Sequence, residues 1–500
     1  MKQGFLNILL VLTLLVTVYV RFYPNHFDLP KGCDEFGYLQ LADAISENIT
    51  FNEHTPRNFL DELIPYLQKK GYTNKDYSWI VGPHAYHYNE DAKKVMNQYP
   101  PGTSLLLTAL PKSQRQFLFP IVVLALFVPL FWLFKKYNHS PAETELLFTS
   151  LLLLSIIFII TSPFLTEFTN VNSVSPTFAL LIFAGVFIAT HPKISLLLIA
   201  ISINFRIANS ILVPFFMLYY FNSLAPLPIF QRVKKLIPIA LLTFLVAFSI
   251  YGLYTYKLIG IPFASTYSEI DQRSIDLSLL TDNILYYLDF KSSWFLVNLT
   301  SYLIILALFL KKAIKKNAFV LISSSLFFTY LFFFFHAAKT PYYPYAIGMI
   351  MIGFLLHTLS EKITLNQVKL TYAKGAILIL LLVVISSHAS KFNKFIAKDT
   401  AAEKALLSNC FSDYDVVWGD LKISTIEYAI GKPGMRFFWG NEQLRLDVMK
   451  WLANHNYKQI IYLNDLISRS EEVNRFIEDN DMHFMIVEDK GCGILIELHP

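Results

Sequence analysis

Charge is scarce in this sequence. Only 16% of its 500 residues are Asp, Glu, Lys or Arg, whereas roughly a quarter is usual for a soluble chain. That scarcity excludes an ordinary soluble enzyme and a disordered protein. Cysteine is nearly missing: Cys33, Cys410 and Cys492 are too few for a disulfide framework and show no metal-ligand spacing. No internal repeat occurs, and no basic patch is interleaved with aromatics, so nothing points to nucleic acid. Gly431-Lys432-Pro433-Gly434 lacks the earlier glycine and the following Ser/Thr of a phosphate loop.

What is present is apolar. Hydrophobic residues make up 54% of the chain, Phe alone contributes 44, and the mean hydropathy is +0.44. Apolar runs of membrane length lie near 4–20, 117–134, 143–163, 174–190, 236–256, 294–310, 317–335, 342–359 and 375–390. A further run, 194–222, is interrupted at Asn204-Phe205-Arg206. The first run has no small-residue cleavage site and ends at Arg21, which predicts an uncleaved anchor.

Lys and Arg at the span ends set the sidedness. With Lys2 inside and the spans alternating, the inner turns collect 14 basic residues against Glu143, Glu145 and Glu361. Segments 24–103 and 391–500 fall outside, each at net −4. The alternation holds only if 194–222 goes out and back as two short helices bending near Arg206. The expected fold is therefore a polytopic, multi-pass α-helical membrane protein of about eleven spans. Its N-terminus is cytoplasmic and its C-terminal domain extracytoplasmic.

Two domains follow: 1–390 holds the spans, with 24–103 as the first outer loop, and 391–500 is a small α/β unit. Phe59, Leu60, Leu63, Ile64 and Leu67 predict an amphipathic helix, which fits either the membrane interface or the surface of the tail. In the tail, Val416–Trp418 and Ile460–Leu463 read as strands, 441–455 and 469–479 as helices, and Phe484–Val487 with Ile494–Leu498 as a hairpin. Cys410 and Cys492 share this outer unit, where oxidising conditions would let them pair.

Two fragments carry candidate chemistry. Cys33-Asp34-Glu35-Phe36-Gly37-Tyr38-Leu39-Gln40-Leu41-Ala42 sets paired carboxylates just after the first span. Alone, it fits the acidic first turn of a helix equally well. Tyr99-Pro100-Pro101-Gly102-Thr103 leads into an apolar helix and, alone, reads as a turn. Together they resemble the first-loop pattern of GT-C glycosyltransferases, in particular the protein mannosyltransferase and aminoarabinose (lipid A) transferase group. In chain order the resemblance extends to Glu167 in the second outer turn, to Arg206 at the bend, and to His336-Ala337-Ala338-Lys339-Thr340-Pro341-Tyr342-Tyr343-Pro344-Tyr345 in a late outer turn. Departures are Tyr99 where the group has Lys, Glu167 for the usual Asp, and Arg206 for the usual Lys.

The resemblance implies an inverting glycosyltransferase acting on the outer face of a bacterial inner membrane. It would move a hexosyl or pentosyl group from a polyprenyl-phosphate donor to a lipid, glycan or protein acceptor. Asp34, with Glu35, would supply the catalytic carboxylate that takes the acceptor proton. Arg206, Lys339, His336, Tyr342 and Tyr343 would hold the donor phosphate, and Glu167, Tyr38 and Tyr99 would contact substrate. No acidic cluster calls for a divalent metal, and none of these residues excludes one. Membrane lipids are further partners. A rival reading from another class is a transporter or flippase of a lipid-linked or anionic substrate, which would also show a broken helix around a cation. Two large outer segments and the missing repeat count against it.

Overall fold

The structure is a computed structural model. It describes residues 32–48, 55–118, 171–264, 277–336, 343–362, 400–480, 484–487 and 495–498, with a few isolated positions besides. The apolar runs 4–20, 117–134, 143–163 and 375–390 lie almost wholly outside these residues.

The first outer segment contributes α1 (Cys33–Asn48), α2 (Leu60–Lys69), the antiparallel pair β1 (Tyr86–Asn89) and β2 (Lys94–Asn97), and α3 (Gly102–Leu107). Apolar helices follow: α4 (Ser175–Phe187), α5 (Pro192–Ile203), α6 (Val213–Ser223), α7 (Ile229–Ile259), α8 (Leu280–Tyr287), α9 (Ser293–Leu310), α10 (Lys316–Phe334) and α11 (Tyr345–Lys362). Among the described residues, α7 and α10 are long and apolar enough to cross a membrane. Leu241, Leu245 and Leu253 of α7 point outward and are exposed, a face suited to lipid.

The interrupted run 194–222 breaks where its polar triplet lies. α5 ends at Ile203, Arg206 is extended, and a 3₁₀ turn (Ile207–Leu212) leads into α6. A break among apolar helices leaves backbone carbonyls without helical donors, and side-chain amides fill the gap. Asn204 Nδ2 donates to Ile201 O and Asn209 Nδ2 to Ser202 O, each at 3.4 Å, and Asn204 Nδ2 also ties the break to α7 through Val246 O at 2.8 Å.

α4 and α11 are in backbone contact. A Cβ on Gly185 would overlap the Ile350 carbonyl oxygen, and one on Gly353 the Ile182 carbonyl oxygen. Small residues at such a crossing let two apolar helices gain dispersion energy where burial from water supplies none. Around the crossing, one core joins α1, α4, α5, α9 and α11 through Tyr38, Leu39, Ile182, Ile199, Ile305 and Ile350.

The tail builds α12 (Thr400–Phe411), β3 (Val416–Gly419), α13 (Ile423–Ile430), β4 (Gly434–Arg436), α14 (Glu442–Asn454), β5 (Gln459–Tyr462), α15 (Ser470–Asp479), β6 (Phe484–Val487) and β7 (Leu495–Leu498). The five strands form one sheet in the order β4-β3-β5-β7-β6, with β4, β3 and β5 parallel. The hairpin closes β6 on β7, with Phe484 opposite Leu498 and Val487 opposite Leu495. Cys410 is disulfide-bonded and Cys33 is a free thiol; Cys492 lies outside the described residues.

Of the two places open to α2, the structure takes the tail. Leu60, Leu63, Ile64 and Leu67 share a core with Leu444, Val448 and Trp451 of α14 and with Trp418 of β3. The first outer segment and the tail thus pack as one body, clasped by charge. Arg57 donates to Glu427 at 2.6 Å with both side chains buried, and Glu427 also accepts from Gly434 N. Asp43 of α1 accepts from Arg115, Lys112 and the Tyr428 hydroxyl at 2.6–2.7 Å. Burial alone would raise its pKa, but bonds from Lys112, Tyr428 and Arg115 outweigh that and hold it below the usual carboxylate value.

Candidate functional site

α1 begins at Cys33, so Asp34 and Glu35 occupy its first turn, where unpaired backbone N–H groups and the helix dipole favour negative charge. The two carboxylates have different surroundings. Glu35 is buried, and its Oε1 accepts from the Val171 N–H at 2.9 Å. Asp34 is half-buried, and its Oδ1 accepts from the Tyr99 hydroxyl at 2.5 Å and from the Cys33 thiol at 3.5 Å. Burial, then the Asp34 charge, pushes the Cys33 thiol up to about 12. It therefore stays protonated and is no nucleophile at neutral pH.

Tyr99 reaches Asp34 because β2 and α1 are stitched together. Asn97 Nδ2 donates to Gly37 O at 2.6 Å, and Asn97 Oδ1 accepts from Tyr99 N at 2.8 Å. The Tyr99 ring stacks on Tyr38 with centroids 4.9 Å apart. It also passes over Gly37, where a Cβ would sit 2.8 Å from its Cδ2. One turn later, Gly102 docks on the broken helix. Its N–H donates to Asn204 O at 3.0 Å, and a Cβ there would meet that oxygen at 2.5 Å. The Pro-Pro-Gly motif thus seats the first outer segment against the bend that carries Arg206.

Residues 171–175 are the common anchor. Val171 N bonds Glu35, Asn172 O accepts from Thr103 Oγ1, and Ser173 Oγ accepts from Arg206 Nη1 at 3.4 Å. Asn172 Oδ1 in turn caps the start of α4 by accepting from Val174 N and Ser175 N. The Arg206 guanidinium lies over the Tyr343 ring at 4.5 Å and near the Tyr345 ring at 5.8 Å. The His336 ring meets Tyr343 edge-on at 5.6 Å. Asn283 Nδ2 holds this turn by donating to His336 O and Phe334 O at 2.9 Å.

Beside it, α9 and α10 form an open apolar cavity of about 300 Å³ lined by Phe295, Asn298, Tyr302, Leu326, Tyr330 and Phe334 among others. Phe295, Leu326, Tyr330 and Phe334 belong to the same cluster as Tyr343, so the cavity and the Arg206–Tyr343 stack are joined by direct packing.

Of the candidates expected from sequence, the structure gathers Asp34, Glu35, Tyr38 and Tyr99 at one end of α1, and Arg206, His336 and Tyr343 around one ring. Glu167, Lys339 and Tyr342 lie outside the described residues. Glu35 is engaged by the 171–175 anchor, and Tyr99 bonds the Asp34 carboxylate. Among the described residues, no group of three or more His, Cys, Asp or Glu is placed to hold a metal ion. Sequence reasoning missed Asn172 and Ser173, although Asn172-Ser173-Val174-Ser175-Pro176 carries a helix-start signal. Tyr345, which closes the late-turn fragment, has its hydroxyl 2.5 Å from Thr177 Oγ1.

No protein-family model matches the chain, and no curated protein matches its sequence. Its backbone is nevertheless similar to that of ArnT from Cupriavidus metallidurans bound to undecaprenyl phosphate. The TM-score is 0.55 at 10% identity, covering 100% of this chain and 98% of that one. The apo crystal structure of the same ArnT matches with a TM-score of 0.50 at 10% identity, covering 98% and 97%. From the first outer segment through the helices to the α/β tail, this chain has the fold of the ArnT structures.

Proposed function

We propose that this chain is an integral-membrane glycosyltransferase of the GT-C type. It would transfer a sugar from a polyprenyl-phosphate donor to a lipid, glycan or protein acceptor on the outer face of a bacterial inner membrane. The observation that carries this reading is the shared anchor at 171–175. Through it the first-turn carboxylates of α1, the Pro-Pro-Gly turn and the Arg206 bend are held together. The fold supports it, since the ArnT of similar structure was crystallised with undecaprenyl phosphate.

The chemistry suits those parts. The acceptor oxygen attacks the anomeric carbon while Asp34 takes its proton. The bond from that carbon to the phosphate oxygen breaks, the configuration inverts, and polyprenyl phosphate leaves with an added negative charge. In this reading Arg206, which bonds Ser173 and lies over Tyr343, stabilises that charge, with Lys339, His336 and Tyr342 as further candidate phosphate contacts. The cavity between α9 and α10 offers apolar walls for isoprenoid units. Glu35 contributes by holding the anchor, and Glu167 remains a candidate acceptor contact.

The test is transfer from a radiolabelled polyprenyl-phosphate sugar by detergent-purified protein. Asp34→Asn is expected to lower kcat by about 10²–10⁴-fold with donor binding retained, and Arg206→Ala to weaken donor binding. Full turnover by Asp34→Asn would refute the role given to Asp34. Sidedness is checked with single cysteines at Lys312 and Lys432, which should label from opposite sides of sealed vesicles.

A further inference from the structure

Asp34 is bonded on one side only. Both of its donors, the Tyr99 hydroxyl and the Cys33 thiol, go to Oδ1, and no described residue donates to Oδ2. The Tyr99 donor has little freedom. Its backbone is tied through Asn97 to the Gly37 carbonyl, its ring is stacked on Tyr38 and lies against the bare Cα of Gly37, and Pro100 and Pro101 follow it. Burial, and then the Asp34 charge, pushes the Tyr99 hydroxyl well above the usual tyrosine value. It therefore remains a donor throughout the neutral range.

We infer that Tyr99 is a positioning residue: by claiming Oδ1 it fixes the Asp34 carboxylate so that Oδ2 is the oxygen that receives the acceptor proton. A carboxylate on a single Cβ rotates readily about χ2, and both oxygens would otherwise exchange between bonded and reactive positions. A rigid phenol at hydrogen-bond distance removes that exchange. The acceptor O–H bond then breaks toward Oδ2 as the new glycosidic C–O bond forms, and the donor's electron pair leaves on the phosphate. The residue matters for orientation, where a small misplacement costs about 10²-fold in rate. This inference rests on the glycosyltransferase reading and on Asp34 as base.

The experiment uses the full chain in detergent, with a radiolabelled polyprenyl-phosphate sugar, and measures kcat and donor KM separately. Tyr99→Phe keeps the stack on Tyr38 and the contact over Gly37 while removing the hydroxyl. It should lower kcat by about 10–100-fold and leave donor KM and thermal unfolding within experimental scatter of wild type. Asp34→Glu moves the carboxylate off the Tyr99 hydroxyl. In that background Tyr99→Phe should cost less than about threefold, because the two residues act as a unit. Wild-type kcat in Tyr99→Phe, or the same loss in both backgrounds, would overturn the inference and leave Asp34 as base untouched. Full turnover by Asp34→Asn would instead overturn the parent reading.

Discussion

The contact between α4 and α11 and the seam between the first outer segment and the tail are held by opposite means. At the helix crossing, Gly185 and Gly353 bring backbone against backbone with no charge nearby in sequence. At the seam, buried polar side chains from distant parts of the chain meet: Arg57 pairs with Glu427, and Asp43, itself paired with Arg115, accepts from the Tyr428 hydroxyl of the tail. The difference follows from the surroundings. Between apolar helices facing lipid, association gains little from burial, and close approach is the main source of attraction. At the seam, a core of Leu63, Leu67, Trp418 and Val448 already excludes water. Charges carried into it must find partners or cost several kcal/mol.

The comparison can be broken from either side. Gly353→Val puts branched carbons into the Ile182 carbonyl, and no rotamer avoids it. The expected outcome is loss of monodisperse protein in detergent gel filtration, beyond the roughly 1–3 kcal/mol of ordinary overpacking. At the seam, Arg57→Ala leaves Glu427 buried with Gly434 N as its remaining bonded donor. Destabilisation of about 3–5 kcal/mol is expected, read as earlier thermal unfolding with the helix crossing unaffected.

A smaller effect comes from His87. Its ring is buried beside Trp79, and among the described residues neither nitrogen has a hydrogen-bond partner. Burial, helped by the Arg436 charge, lowers its pKa to about 3. A histidine whose folded pKa is depressed is neutral in the folded state while the unfolded chain takes up a proton. Stability is therefore complete above the ordinary histidine value of 6.5 and declines as pH falls toward about 3. The slope is about 1.4 kcal/mol per pH unit, or about 2 kcal/mol by pH 5. Hydrogen exchange at β1 and β4 should show it, and His87→Leu should flatten it. An unchanged slope in that variant would assign the acid sensitivity to other groups.

Much of the fold was legible because it follows local pattern. Val416–Gly419 and Gln459–Tyr462 are buried runs bounded by polar residues, and the Asn204-Phe205-Arg206 interruption marks the helix break. α13 and β4 were missed because they are short and flank Gly431-Lys432-Pro433-Gly434, which reads as a turn. The β1–β2 pair was missed because its strands are four residues each and polar at their ends. At the site, Asp34, Arg206 and Tyr343 could be named from motif order. The bond from Tyr99 to Asp34 could not, since it depends on how β2 lies against α1. The amphipathic pattern of α2 gave its buried face, but only tertiary packing decides what covers that face.

The Arg57–Glu427 pair spans 370 positions of sequence, which sets an order of events during synthesis. When α1 and α2 leave the ribosome, half of the core that supports them has yet to be translated. Loop closure over such a length costs little more than over a short one, but it cannot happen before the partner exists. A chain cut short before α13 lacks the clasp on Arg57 and the Tyr428 bond to Asp43 on the carboxylate-bearing helix. α13 thereby acts as a late checkpoint: α1 gains the Tyr428 bond only after that helix has been translated.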